Sequence, residues 1–455
     1  MEIRTIGLET FLPCVLLFES RRDMKNSNDT LFHYSVQRYI KVLCLLAFFT
    51  FLVTSCGNYE LKSNTIVGEV QKDRDTIQKQ EIKEAAKPNV KPIQLGIERF
   101  SLYLDSLSGK RIAVVANQTS VVKKSHLVDT LIAMKMQVVK VFSPEHGFRG
   151  DADAGERVNS TVDEKTGIPI VSLYGNNKKP SAAQMADVDI VLFDIQDVGV
   201  RFYTFISTLH YVMEACAENN KKLIVLDRPN PNAHYVDGPV LEYRYKSFVG
   251  MHPVPIVYGM TIGEYAKMIN GEGWLDNKKQ CDLTVIPCKN YTHKTRYSLP
   301  IAPSPNLKSD VAIALYPSLC FFEATTVSVG RGTDRPFEYF GHPRFPILDH
   351  TFTPEPKVGA KNPMHKYKLC HGFDLSKSQM KRTYELNLNY LIQARDLLGD
   401  SAVFIDQNLF FNRLAGTASL KEQIYKGWSA QEIKETWKSG ISSFMDTRKK
   451  YLLYP

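Results

Sequence analysis

From residue 111 onward, short runs of apolar residues alternate with amphipathic stretches. Residues 111–116, 138–142, 168–173, 189–195 and 222–227 read as strands, and residues 125–136, 182–185 and 205–218 between them read as helices. The strands are apolar along their length rather than on alternate residues, which is the pattern of a parallel sheet covered by helices on both faces. The predicted fold class is therefore α/β, a Rossmann-like doubly wound sheet. Beyond Gly259 the rhythm changes. A helix is expected over 261–270, with Thr261 as N-cap and Glu264 at the capping-box position, followed by a strand over 283–286. Pro300, Pro303, Pro305 and Pro317 then crowd the chain, and later segments mix short strands with helices over 386–398 and 430–448. This predicts a Rossmann-like domain over 95–300 and a smaller α+β domain over 301–455.

The first part of the chain belongs to neither domain. Lys41 leads into an apolar run over 42–53 that closes with Thr54-Ser55-Cys56. A dozen apolar residues span a bilayer poorly, and small residues before a cysteine form a lipoprotein signal pattern in which Cys56 would be lipidated. A start at Met24 would supply the usual short basic region. Residues 1–56 are thus expected to be a signal peptide and lipobox, giving a lipid-anchored envelope protein. Residues 57–94 are rich in Lys, Glu, Asp, Gln and Asn and read as a flexible tether.

A length of 455 residues suits such a leader with two packed units. The net charge of +9 is spread along the chain, with no arginine-rich arm or aromatic-basic module, so nucleic acid is not an expected partner. An anionic polymer or membrane face suits the charge better. The first strand runs into Asn117-Gln118-Thr119-Ser120 where a dinucleotide site would need Gly-x-Gly-x-x-Gly. No Walker loop and no nucleophile elbow appears, and no cofactor is predicted. Cys216, Cys281, Cys288, Cys320 and Cys370 are odd in number and lack the paired spacing of a zinc site or disulfide framework.

Four polar loops follow the predicted strands and are expected to converge on one rim, where open α/β sheets place ligands. They carry Asn117; Glu145 and His146; Gln196, Asp197 and Arg201; and Arg228, Asn230 and Asn232. The densest is Ser143-Pro144-Glu145-His146-Gly147-Phe148-Arg149-Gly150-Asp151-Ala152-Asp153-Ala154-Gly155-Glu156. Glu145 lies next to His146, with Phe142 and Phe148 shielding it from water in the way a general acid needs. A salt bridge to Arg149 is its bland alternative. Asp151, Asp153 and Glu156 are open to a calcium or magnesium reading, without the full ligand pattern of a calcium loop. His146 is better read as a hydrogen-bonding imidazole than as a zinc ligand, and no metal is assigned. Asp197 is expected to face the cleft. Arg201 and Arg228 could each grip a carboxylate, or brace Asp194 and Asp197. Further along, Glu323 and Arg331 supply a second acid and another guanidinium, either as site residues or as a salt bridge between domains.

These blocks, together with Asp194-Ile195-Gln196-Asp197-Val198-Gly199-Val200-Arg201-Phe202-Tyr203-Thr204, Asp227-Arg228-Pro229-Asn230-Pro231-Asn232, Tyr258-Gly259-Met260-Thr261-Ile262-Gly263-Glu264, Pro303-Ser304-Pro305-Asn306 and Gly330-Arg331-Gly332-Thr333, resemble the NamZ-type exo-β-N-acetylmuramidases in unbroken order from about residue 95 to the C-terminus. The resemblance implies a glycoside hydrolase whose Rossmann-like catalytic domain and smaller α+β domain face each other across a cleft, and which releases N-acetylmuramic acid from the non-reducing end of peptidoglycan fragments, with disaccharides and muropeptides as partners and cell-wall recycling as its setting. It implies Glu145 as the catalytic residue; the residues themselves suggest that His146 tunes it, that Glu323 or Asp197 assists the second step, and that one of Arg201, Arg228 or Arg331 binds the lactyl group. Asn117, Arg149, Gln196, Arg201, Arg228, Asn230, Asn232, Asn306 and Arg331 are the expected substrate contacts. A muropeptide-binding lipoprotein without catalysis and a metal-dependent hydrolase on the Asp151-Asp153 loop are the alternatives. Replacing Cys56 with serine in the full chain is expected to abolish fatty-acid labelling and shift the protein from the membrane to the soluble fraction. Undiminished labelling would place the anchor elsewhere.

Overall fold

The structure, a computed structural model, describes residues 91–148, 161–377, 383–399 and 403–455. The expected signal peptide, with Cys56, and nearly all of the tether lie outside the described residues.

The strands β1 (Ile112–Ala116), β2 (Val121–Val122), β3 (Ser125–His126), β4 (Val138–Ser143), β5 (Thr161–Val162), β6 (Pro169–Ser172), β7 (Ile190–Asp194), β8 (Lys222–Leu226) and β9 (Leu283–Ile286) account for the sheet elements of the first part. Seven of them form one sheet in the order β5-β6-β4-β1-β7-β8-β9. All pairings are parallel except that of the edge strand β5 with β6. Without that edge the order is the Rossmann one, with the chain reversing direction of growth between β1 and β7. The uniformly apolar strands have a direct use. Ala113, Val115, Val191, Phe193, Leu223 and Val225 point to one face and enter one buried cluster. Ile112, Val114, Ala116, Ile190, Leu192, Ile224 and Leu226 point to the other and enter a second. Because strand side chains alternate between faces, both registers must be apolar when both faces are covered.

The helix Phe205–Glu218 and the strand Leu283–Ile286 form where the pattern predicts them. Thr261 caps the helix Ile262–Gly271 through a full capping box with Glu264. Two expectations need correction. Residues 125–126 are not helical: β3 pairs antiparallel with β2, and the helix begins at Leu127, where the His126 ring accepts the Val128 amide. The long C-terminal helix is two, Ala430–Glu435 and Lys438–Lys449. Between them the Thr436 amide and hydroxyl both turn back onto the Ile433 carbonyl, closing the first helix, and Trp437 is buried.

The second part carries a small antiparallel sheet, β10 (Tyr339–His342), β12 (Cys370–Asp374) and β11 (His350–Phe352) in that order, among helices. The first cluster continues from the large sheet into this part, through Phe202 edge-on to Tyr316 and Phe321. The two parts therefore share a core.

Arg201, with no exposed surface, ties them together. One guanidinium nitrogen donates to the carbonyls of Pro239 and Val254, both at 2.7 Å. The other donates to Leu414 and Ala415, at 3.0 and 2.7 Å, which end the helix Asn408–Ala415. Gly416 follows with φ +77°, and a Cβ there would stand 2.5 Å from the same guanidinium. A cation at a helix C-terminus meets the negative end of the dipole and fills carbonyls that lack amide partners. Burial pushes the Arg201 pKa down to about 9. Arg201→Met is expected to leave four buried carbonyls without this donor and to lower the unfolding free energy by about 3 kcal/mol or more, read from the urea midpoint. An unchanged midpoint would show that the latch is dispensable.

Candidate active site

Strand β4 ends at Ser143, and the chain then turns sharply: the Gly147 amide donates to the Pro144 carbonyl at 3.1 Å. His146 sits third in this turn at φ +68°. That position of a type II turn favours glycine or asparagine, and a non-glycine there costs on the order of 1 kcal/mol. The turn presents both Glu145 and His146, 8% and 6% exposed, to a pocket of about 860 Å³. Glu145 Oε2 accepts a 2.7 Å hydrogen bond from the Thr204 hydroxyl. Thr204 occupies the N-cap of the helix Phe205–Glu218, yet its hydroxyl makes no cap bond. The group that would ordinarily satisfy the helix orients the acid instead. Thr204 and Phe205 both line the pocket, so the positive end of this helix's dipole faces it.

The facing wall comes from the second part. Glu323 lies in the 3-10 turn Cys320–Ala324 that continues the helix Asp310–Leu319. Arg331 Nε donates to Glu323 Oε1 at 2.5 Å, and its guanidinium lies 5.2 Å from the centre of the Phe337 ring. Burial works against the Arg331 charge, but the neighbouring Glu323 carboxylate more than offsets it and leaves the pKa above its ordinary value. Both side chains are about one-fifth exposed, open to a ligand. Aromatic rings, among them Tyr174, Phe202, Tyr203, Phe248 and Tyr316, supply the apolar surface. The Tyr203 hydroxyl donates to the Pro303 carbonyl at 2.9 Å, and Asn306 Nδ2 to the Gly359 carbonyl at 2.7 Å, fixing the loops of the second part around the opening.

Of the residues expected at the site, the structure brings together Glu145, His146, Glu323, Asn306 and Arg331. Seven others lie outside the pocket lining. Asn117 accepts from the Thr119 amide and hydroxyl, closing its own loop. Gln196 donates to the carbonyls of Asp197 and Pro229. Asp197, expected to face the cleft, instead accepts from the Gly199 amide and the Tyr258 hydroxyl, and burial pushes its pKa up to about 6 against those two bonds. Arg228 grips Asp194 with two bonds, at 2.6 and 2.9 Å, both partners buried. Asn230 donates to the Met260 carbonyl, and a Cβ on Gly199 would collide with it at 2.2 Å. Asn232 donates to Val198 and Ile313. Arg201 is the latch already described. The same polarity that marked these residues as ligand-binding serves to tie one loop to the next. Arg149, Asp151, Asp153 and Glu156 lie outside the described residues. Among the described residues, no group of three or more His, Cys, Asp or Glu side chains stands where it could hold a metal ion.

The pocket also contains residues not singled out from the sequence. Tyr203 and Thr204 close a recognised block, but their types gave no reason to choose them. Lys361, Asn362, Pro363 and Met364 form another stretch of wall, and Gln407 and Phe410 come from the lead-in to and the body of the helix that Arg201 caps. The turn residues Gly359 and Pro363 were the available signal for that stretch.

A Rossmann-like sheet and a second α+β part that wall an aromatic pocket with two carboxylates describe a glycosidase. The chain belongs to the exo-β-N-acetylmuramidase NamZ family: the model of that family's N-terminal part matches residues 112–311 and that of its C-terminal part matches residues 314–454. It is 39% identical over 393 residues to the peptidoglycan β-N-acetylmuramidase NamZ of Bacillus subtilis (strain 168), an alignment covering 81% of this chain and 92% of that protein. Two crystal structures of DUF1343 family proteins from Bacteroides fragilis NCTC 9343 share the fold. One has a TM-score of 0.74 at 49% identity and covers 80% of this chain and 99% of its own. The other has a TM-score of 0.67 at 29% identity, covering 81% and 100%.

Thr204→Val keeps the shape and removes the donor to Glu145. It is expected to lower kcat about tenfold with little change in KM, and Thr204→Ser to restore most of it. A rise in KM with kcat intact would assign Thr204 to binding instead.

Proposed function

We propose that this protein is an exo-acting glycosidase that removes N-acetylmuramic acid from the non-reducing end of peptidoglycan fragments, with Glu145 as the general acid. The observation that carries the reading is the placement of Glu145 in the pocket, oriented by Thr204, with the Glu323–Arg331 pair on the facing wall. The activity of the Bacillus subtilis relative supports the same reaction.

In this reading the Glu145 carboxyl gives its proton to the glycosidic oxygen as the bond to the anomeric carbon breaks, and water supplies the hydroxyl of the released sugar. His146, presented by the same turn, tunes that carboxyl. Glu323 is the second carboxylate, drawing a proton from the attacking water or stabilising positive charge at the anomeric centre. Asp197, bonded to Gly199 and Tyr258, braces the loop after β7 rather than taking part in this step. Muramic acid differs from glucosamine by a lactyl carboxylate. With Arg201 and Arg228 committed to carbonyls and to Asp194, Arg331 is, among the described residues, the arginine on the pocket wall that can meet it. An anchor at Cys56 would hold the enzyme at the cell envelope, beside its polymer.

The test is turnover of a muramic-acid-terminated disaccharide and its glucosamine-terminated counterpart. Wild type is expected to release sugar from the first, and Glu145→Gln to lose about 100-fold or more while still folding and binding. Substantial turnover by a folded Glu145→Gln variant would remove Glu145 as the acid. Binding without release by wild type would favour a capture protein, and loss of activity with a chelator a metal-dependent hydrolase.

A further inference from the structure

One strip of surface beside the pocket is not used by this mechanism. Residues 356–373 contain Lys357, Lys361, Lys366 and Lys368 and no Asp or Glu. The inner end of the strip, Gly359 to Met364, forms part of the pocket wall. Lys361 and Asn362 are exposed there, whereas Glu145 and His146 are buried, which puts this end at the mouth.

The outer end is held in an unusual backbone. His365 and Tyr367 have φ of +57° and +61°, left-handed values that side chains with a Cβ resist. Such residues persist where their surroundings over-determine them. Here His365 is fixed by the Thr326 carbonyl, 2.7 Å from its Nε2, and by edge-on contact with the His342 ring of β10. The Tyr367 amide donates to the Pro354 carbonyl at 2.8 Å, and the Lys368 amide to His365 at 2.9 Å. The consequence is a fixed outward display. Tyr367 stays 67% exposed, Lys366 Nζ stands 5.1 Å from its ring centre, and Lys368 is exposed beside them. Lys357 is paired with Asp334.

We propose that this strip is a binding site for the glycan chain that continues past the scissile bond, recognising it by an aromatic platform and by lysines that meet the carboxylate of a further muramic acid. The inference rests on the exo-muramidase reading. In a pocket that admits a chain end, the leaving part of the substrate must pass the mouth, where Lys361 and Asn362 stand. A peptide-free peptidoglycan strand alternates neutral sugars with sugars whose lactyl carboxyl is free, so a carboxylate recurs on every second ring beyond the cleaved bond. Lysines next to an exposed ring match that polymer in charge and in stacking surface. An acidic peptide would match the lysines alone.

The test compares wild type with the Lys366→Ala, Lys368→Ala double variant, both as full chains. The substrates are the muramic-acid-terminated disaccharide, a peptide-free glycan with several muramic acids, and the same glycan bearing peptides. The expected result is that kcat/KM on the long peptide-free glycan falls about five- to tenfold, through KM, while the disaccharide is turned over unchanged. Arginine at both positions should restore the long-chain rate, and added salt should erase the wild-type preference for length. Equal loss on both substrates, or no loss on the long one, would overturn the site. Loss confined to the peptide-bearing glycan would overturn the glycan assignment in favour of a peptide. If wild type released nothing from the disaccharide, the exo-muramidase reading would fall. Direct binding of the long glycan to the two proteins would then judge the strip, equal affinities overturning it.

Discussion

The arrangement depends on one buried cation that lacks a carboxylate among the described residues. Arg201 leaves the loop after β7 and distributes its charge over four carbonyls, two from the Rossmann part and two from the last turn of a helix in the second part. Taking a guanidinium out of water is costly, and here the compensation comes from oriented peptide dipoles rather than from an opposite charge. Such compensation exists only when both parts are in place. The helix it caps carries Phe410 and Leu414 of the pocket wall. The latch thus sets the distance between the wall bearing Glu145 and the wall bearing Glu323, although it touches neither.

The carboxyl edge of the sheet shows a second constraint. In a doubly wound sheet the crevice where strand order reverses, here between β1 and β7, is the usual ligand position. In this protein loops from the sheet close it themselves: the Ser120 hydroxyl donates to the Asp194 carbonyl, and the Gln196 amide to the Thr119 hydroxyl at 3.1 Å. Asp194 is held in turn by Arg228. The pocket lies instead beyond the end of β4, where the second part covers the Glu145 turn. That turn holds His146 at φ +68°, a conformation that persists only where its surroundings over-determine it.

Charge in the pocket is arranged in opposition. One carboxyl accepts from the Thr204 hydroxyl, and the other accepts from the Arg331 guanidinium. The lysine-rich strip extends positive charge from the mouth outward, so that an anionic polymer meets favourable potential before it meets the acids.

The sheet and the position of its loops follow from local patterns in the chain. Apolar strands of four to seven residues, helix caps such as Thr261 with Glu264, and the Pro144-Glu145-His146-Gly147 turn are local signals, written within a few residues of where they act. Hence the Rossmann-like class, the boundaries of most elements and the prominence of Glu145 were legible. What a polar loop residue would do was not. Asp197, Arg228, Asn230 and Asn232 look like ligand-binding groups in the sequence, and become loop braces because their partners, Tyr258, Asp194, Met260 and Val198, arrive from 30 to 61 residues away. Thr204, Lys361 and Gln407 carried no special pattern and became pocket residues because two parts of the chain fold over one turn. A side chain's chemistry is local, but whether it faces a ligand or a carbonyl depends on what packs against it, and that is set by segments distant in the chain.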